Sequence, residues 1–309
     1  MNDKGGEQKK RKCVVTGGAG FIGSHVVDAL IARGDEVHVI DNLSGGKRER
    51  VNPKVQFHEK DIRDFDAIAP IFAGADVVFH CAALPRVQPS IIDPRTTHDV
   101  NVTGTLNVLV GSRDAKVKRV VYSASSSAYG NQTTMPTHED MTAHPMSPYG
   151  LQKYIGELQC RLFSEVYGIE TVSLRYFNVY GPRGSAEGAY ALVIAKFLDQ
   201  KSKGEPLTVV PPGTQSRDFT HVRDVVRANL LAAESSEVGK GEVINIGGGR
   251  DRSVLEVAAL VGGPTVFAEP RLEPRRTFAA IRKAKELLGW EPQVVFAEGI
   301  AELKREIGV

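Results

Sequence analysis

Residues 12–23 read Lys-Cys-Val-Val-Thr-Gly-Gly-Ala-Gly-Phe-Ile-Gly, an apolar run that ends in glycines and opens into a helical pattern. Gly17, Gly20 and Gly23 recur three apart, between a strand-like stretch at Cys13–Thr16 and a helix-like one at Gly23–Ala32. Each glycine has a task in such a turn: one permits the tight reversal, one lets backbone approach a pyrophosphate, one lets helix and strand pack closely. The helix then aims its unbonded N–H groups at an anion. A glycine triplet alone says little, but strand, turn and helix follow here in the order a dinucleotide site requires. Asp41 closes the second strand, 18 residues past Gly23. A carboxylate there accepts from ribose hydroxyls and repels a 2′-phosphate, which favours NAD over NADP. Lys47 and Arg48 act against that preference, and a plain turn residue is the alternative reading of Asp41.

Outward from this turn, short apolar runs alternate with longer amphipathic stretches. Strand-like runs stand at Cys13–Thr16, Val37–Ile40, Val55–His58, Val77–His80, Val120–Ser123 and Thr171–Tyr176. Helical patterns cover Gly23–Ala32, Thr96–Leu109 and Pro148–Val166. Continuous apolar strands alternating with helices imply an α/β fold, a doubly wound parallel sheet covered on both faces. After about residue 178 the rhythm breaks into glycines and prolines. The expected division is a nucleotide-binding domain over 12–177, to which the chain returns around 218–246. A smaller α/β substrate-binding domain takes 178–217 and 247–309, and residues 1–11 form a flexible basic tail.

The 309 residues carry 39 Lys and Arg against 37 Asp and Glu. So even a balance argues against a dedicated nucleic-acid or anionic-membrane binder. Cys13, Cys81 and Cys160 are odd in number and far apart, neither a disulfide framework nor a metal ligand set. The basic run at 9–12 precedes a segment broken by glycines, His25 and Asp28, unlike a secretory signal. That segment is also too interrupted for a membrane span of about 20 apolar residues. A soluble, cytoplasmic protein is expected.

Tyr149 and Lys153 stand four apart at the start of Pro148–Val166, hence on one helical face. An ammonium beside a phenol stabilises the phenolate and lowers a pKa of about 10. The run Ser-Ala-Ser-Ser-Ser-Ala-Tyr-Gly, 123–130, follows the strand at Val120. Hydroxyls at the C-terminal end of a parallel strand sit where such sheets bind ligands.

With these motifs the chain resembles the extended short-chain dehydrogenase/reductases, in their nucleotide-sugar epimerase/dehydratase branch, the UDP-glucose 4-epimerase type above all. The resemblance runs from about Lys12 to the C-terminus and includes Asp61–Asp64, His80–Pro85, His98–Leu109, Leu174–Arg183, Ser216–Val225 and Lys283–Pro292. It implies a Rossmann domain binding NAD through Gly17, Gly20, Phe21, Ile22, Gly23, Asp41 and Asn42. It places Asp61 and Ile62 by the adenine, Ala82 and Ala83 in the cleft, and Asn101 in a supporting helix. Ser125, Tyr149 and Lys153 fall on the catalytic positions, Tyr149 as base and Lys153 on the nicotinamide ribose. Ser125, Ser126, Ser127 and Tyr149 face the substrate. Asn178, Arg217 and Arg271 match positions on the sugar nucleotide's diphosphate, where a guanidinium is also the sensible partner. Thr277 falls where the family sets pocket width. A homodimer through the Thr96–Leu109 and Pro148–Val166 helices is implied as well.

Dehydratases of this branch carry Asp-Glu after the catalytic Ser or Thr, because loss of water needs an acid and a base at neighbouring carbons. Here those positions are Ser126 and Ser127, and Asp41 argues against a dissociable NADP of reductases. The expectation is inversion at carbon 4 of a UDP-hexose through a transient 4-keto sugar. UDP-glucose and UDP-galactose are the expected substrates, with N-acetylated forms admitted by the small Thr277. A UDP-glucuronate epimerase, dehydratase or reductase stays open as an alternative, as does a non-catalytic NAD sensor or scaffold. Departures from the family at Pro211-Pro212-Gly213, Arg271–Pro274 and Ala280 all fall in the substrate region.

Overall fold

The computed structural model describes residues 10–186, 192–270 and 275–309; most of the expected tail, residues 1–9, and Arg271 lie outside them. Seven strands form one sheet: β1 (Lys12–Thr16), β2 (Glu36–Asp41), β3 (Gln56–Glu59), β4 (Val77–His80), β5 (Arg119–Ser125), β6 (Glu170–Tyr176) and β7 (Lys240–Ile246). Their order is β7-β6-β5-β4-β1-β2-β3 and every pairing is parallel. β4 and β5 are buried along their whole length, which is why their Val77–Phe79 and Val120–Tyr122 segments read as unbroken apolar runs. The strand order reverses between β1 and β4, and this opens a crevice beyond the C-terminal ends of the strands.

Two cores cover the sheet. On one face α1 (Phe21–Arg33) contributes Val26, Val27 and Leu30, beside Val225, Ala228 and Ala232 of the Val222–Glu234 helix. Ala284, Leu288 and Trp290 join that same core, although the sequence expectation grouped them with the second unit. On the other face α2 (Gly104–Asp114) and α3 (Pro148–Tyr167) bring Val108, Leu109, Cys160 and Phe163. A third core, including Phe197, Val209, Val257 and Ile300, holds the C-terminal half together.

The expected helix at Thr96–Leu109 is three pieces: Pro94–His98, a π-turn at Asp99–Thr103, and α2. Wide π-turns commonly mark functional sites. Here the turn carries Asn101, whose buried carboxamide accepts from Leu84 N at 2.8 Å and donates to Leu84 O at 3.0 Å and Gln152 Oε1 at 2.8 Å. Gln152 lies between Tyr149 and Lys153, so this contact sets the depth of α3. Ser147 caps that helix by accepting from Gly150 N, and Gly168 ends it in the left-handed region at φ 70°.

α3 is further tied to the sheet by a bidentate ion pair, Arg175 to Glu157 at 2.7 and 2.8 Å, with both side chains buried. The Arg175 guanidinium also lies 4.4 Å over the Tyr129 ring. Removing one partner of a buried pair strands the other charge away from water. Glu157→Ala is therefore expected to lower stability by about 3–5 kcal/mol in urea denaturation. A loss under about 1 kcal/mol would show that water or another group reaches Arg175.

Candidate active site

The crevice is a single cavity of about 820 Å³ running from the glycine turn to the C-terminal unit. Every expected site residue lines it except Asn101, Lys153 and Thr277, with Arg271 outside the described residues. The glycine turn fits a dinucleotide. A Cβ on Gly17, at φ 72°, would stand 2.6 Å from Ala82 N, and one on Gly23 would collide with the Gly17 carbonyl. Gly20 is the N-cap of α1 and supplies no side-chain cap, which leaves the helix's first N–H groups for a phosphate.

Asp41 accepts from Ala19 N at 2.9 Å and Leu43 N at 2.8 Å. Burial raises its pKa and these two bonds oppose the rise. It braces the turn and faces the cavity at once, since each carboxylate oxygen keeps a further acceptor site. Asp61 sits in a fork from Arg63, which holds its carboxyl down at about 2, and it accepts from Asn42 Nδ2 at 2.8 Å.

At the centre stand hydroxyls. Ser125 Oγ accepts from Ser127 N and donates to Ser127 Oγ, each at 3.1 Å. The Tyr149 phenol interacts with Ser125. Burial pushes its pKa above the ordinary value, and the Ser125 bond opposes the rise. This corrects the expectation of a phenol lowered by Lys153. The ammonium is directed elsewhere: Lys153 Nζ donates to Ser123 O at 2.8 Å and lies 4.9 Å from the Tyr122 ring. Burial brings Lys153 itself down to about 8.

Asn101 is a support behind the wall, as the resemblance implied, engaged as described above. Two further positions differ from their expected places. Thr277 is behind the wall, with its hydroxyl accepting from Asn178 Nδ2 at 3.0 Å. Asn178 does line the cavity, yet its Nδ2 is held by Thr277 and by Asp218 O, also at 3.0 Å. Sequence reading gives Asp218 no role beyond that of ion-pair partner in the alternative reading of Arg217. Its carboxylate takes the backbone N–H groups of Gly248 and Ala279, and burial raises it to about 7. The only sequence signal for it is its place beside Arg217.

The model of the NAD dependent epimerase/dehydratase family matches residues 13–247. The chain belongs to that family. The protein is accordingly an NAD-dependent enzyme. A UDP-glucose 4-epimerase of Mycolicibacterium smegmatis is 37% identical over 305 residues, covering 94% of this chain and 96% of its own. The Thermotoga maritima UDP-glucose 4-epimerase, solved with UDP-glucose, is 40% identical with a TM-score of 0.91, over 96% of this chain and 100% of that one. The UDP-N-acetylglucosamine 4-epimerase of Methanobrevibacter ruminantium, solved with UDP-N-acetylmuramic acid, is 35% identical with a TM-score of 0.92, over 97% and 99%.

The raised phenol has a direct consequence. In cofactor-free protein, Tyr149 is expected to ionise above pH 10, read as near-ultraviolet phenolate absorbance missing from Tyr149→Phe. Loading NAD, whose oxidised ring is positively charged, moves that ionisation to lower pH. A Tyr149 phenolate signal already present below about pH 9 without cofactor would contradict the dominance of burial.

Proposed function

We propose that this enzyme inverts carbon 4 of a UDP-hexose, with UDP-glucose and UDP-galactose as the first pair to try. The observation that carries the reading is the set of side chains around Tyr149. Tyr149 and the serines Ser123, Ser125, Ser126 and Ser127 face the cavity there, with no carboxylate among them. Ser126 and Ser127 occupy the places where elimination of water would need an acid and a base. A reversible oxidation at a single carbon needs only one such group. The similarity to two enzymes solved with UDP-linked ligands supports the uridine diphosphate part.

NAD, when bound, supplies reversible acceptance of a hydride from the sugar. The chain's own residues do the rest. Tyr149, as phenolate, takes the proton of the 4-hydroxyl and later returns it, and Ser125 donates to the same oxygen and steadies it. Lys153 keeps one of its three protons on Ser123 O and would hold the nicotinamide ribose through the others. Arg217, on the cavity wall, takes the diphosphate. A nucleotide held by its charges while the hexose is held loosely lets the ring present either face of carbon 4.

We also propose a homodimer across the outer faces of α2 and α3. Leu106, Leu158, Leu162 and Val166 are exposed there, an apolar stripe that a two-fold contact would cover. Val110 and Asn107, by contrast, turn inward; Asn107 donates to Ile62 O and Arg63 O. Among the described residues no helix is long and apolar enough to cross a membrane.

The reading is tested by NMR with UDP-, GDP-, CDP- and dTDP-sugars, including N-acetylated and glucuronate forms. Turnover of UDP-glucose to UDP-galactose is expected, and Tyr149→Phe is expected to lose about 100- to 10,000-fold in rate. The variant should keep its NAD and stay within about 2 kcal/mol in stability, since one hydroxyl leaves the packed ring in place. Absence of any new anomeric signal from the UDP-sugars would refute the assignment. Light scattering at micromolar protein is expected to give twice the chain mass; the mass of one chain would reject the dimer.

A further inference from the structure

Glu36 and His38 of β2 and His58 of β3 form a chain of polar side chains. His38 Nε2 lies 2.9 Å from Glu36 Oε1, and His38 Nδ1 lies 3.1 Å from His58 Nε2. The two rings are 12° from parallel with centroids 5.3 Å apart. His38 is buried and His58 half-buried. The His38 bond holds the Glu36 carboxyl below its usual range, so its oxygens only accept. His38 therefore carries a hydrogen on Nε2, and in the uncharged pair His58 Nε2 donates to His38 Nδ1. One added proton leaves a hydrogen between the rings, whichever imidazole takes it. A second puts N–H on both facing nitrogens, so no acceptor remains and two cations oppose each other. The charges around the pair are Lys12 on β1, level with Glu36, together with Lys10 and Lys60; only Glu36 is negative. The Phe65–Phe72 stretch covers this face with apolar Ile68, Ile71 and Phe72. Burial first, then His38, Lys12 and Lys60, push the His58 pKa below its ordinary value.

β3 is the edge strand, four residues paired with β2 alone. Past the histidines both strands run into the cavity wall, β2 through Asp41 and Asn42, β3 through Lys60, Asp61 and Ile62. Asn42 Nδ2, donating to Asp61 at 2.8 Å, joins the two ends. We propose that the His38–His58 contact is an acid-sensitive tie that sets how firmly the enzyme keeps NAD. Paired, the two rings accept one proton between them. The second parts β3 from β2 and loosens the wall of Asp41, Asn42 and Asp61, at the adenosine end of the cavity. NAD binding then opposes the second proton, and the second proton opposes NAD. Because His58 is harder to protonate in the closed form, that form is favoured above the ordinary imidazole value of about 6.5 and loses ground as pH falls below it. Only the NAD site enters here, whichever sugar is turned over.

Equilibrium dialysis of the holoenzyme, with NAD as the probe, tests this on the parent, His58→Gln and His58→Leu. Between about pH 7.5 and about pH 5.5 the parent Kd for NAD is expected to rise about tenfold, the factor that goes with one pKa unit between closed and parted forms. The glutamine amide offers a donor to neutral His38 and an acceptor to charged His38, and it takes no proton itself. His58→Gln is therefore expected to flatten the rise to within about twofold. His58→Leu, which has neither donor nor acceptor, is expected to hold NAD at about pH 7.5 as weakly as the parent does at about pH 5.5. The other histidines are common to all three proteins, so a difference between the profiles belongs to His58. Circular dichroism checks that each variant is folded; if His58→Leu is not, the parent and His58→Gln decide between them. An equal acid rise in the parent and His58→Gln would overturn the inference. So would a parent whose Kd does not change, or a folded His58→Leu that matches the parent throughout.

Discussion

The close approach of backbone at residues 17–23 is the constraint on which the rest depends. Gly17 lies against the backbone of Ala82, and Gly23 lies against the carbonyl of Gly17, so neither position has room for a Cβ. That contact brings the start of α1 to the edge of the sheet where the strand order reverses, with its N–H groups uncapped. A bulkier turn would push the helix outward and close the crevice between β1 and β4. The cavity follows from this geometry before any side chain is chosen, which is why so much of its cofactor end is backbone and small residues.

The catalytic end depends on a second device, the seating of α3. Asn101 reaches from the π-turn to Gln152, Lys153 reaches to the Ser123 carbonyl, and Glu157 pairs with Arg175. These three contacts fall along one buried face of the helix and fix its depth against β5 and β6. Tyr149 is thereby held beside Ser125 with its backbone N donating to Ser90 Oγ. Burial that rigid has an electrostatic effect: it raises the phenol and lowers the ammonium. Both shifts oppose the charged forms that chemistry uses. A positively charged cofactor ring bound near the phenol would supply the compensating field.

The substrate end is organised by a buried carboxylate. Asp218 draws in Gly248 and Ala279, and through its own backbone it holds Asn178 and Thr277. Nothing in the local pattern of Ser216–Val225 distinguishes this carboxylate from a surface ion-pair partner of Arg217. Its neighbours come from positions 30 and 61 residues away. Contacts at that separation have no signature in a periodicity.

The sequence by itself determined the parallel sheet, the glycine turn and the hydroxyl-bearing end of β5, because each is local. Apolar runs, three-residue glycine spacing and a four-residue Tyr–Lys spacing follow from backbone geometry within one or two elements. Tertiary structure alone decided which way the polar groups face. Thr277 reads as a pocket wall and proves to hold Asn178. Asn101 reads as part of a plain helix and proves to brace α3 from a π-turn. Lys153 reads as the phenol's counter-ion and proves to be bonded to a carbonyl. In each case the partner is distant in the chain, and a hydrogen bond's direction is set by where that partner stands rather than by the residue that makes it.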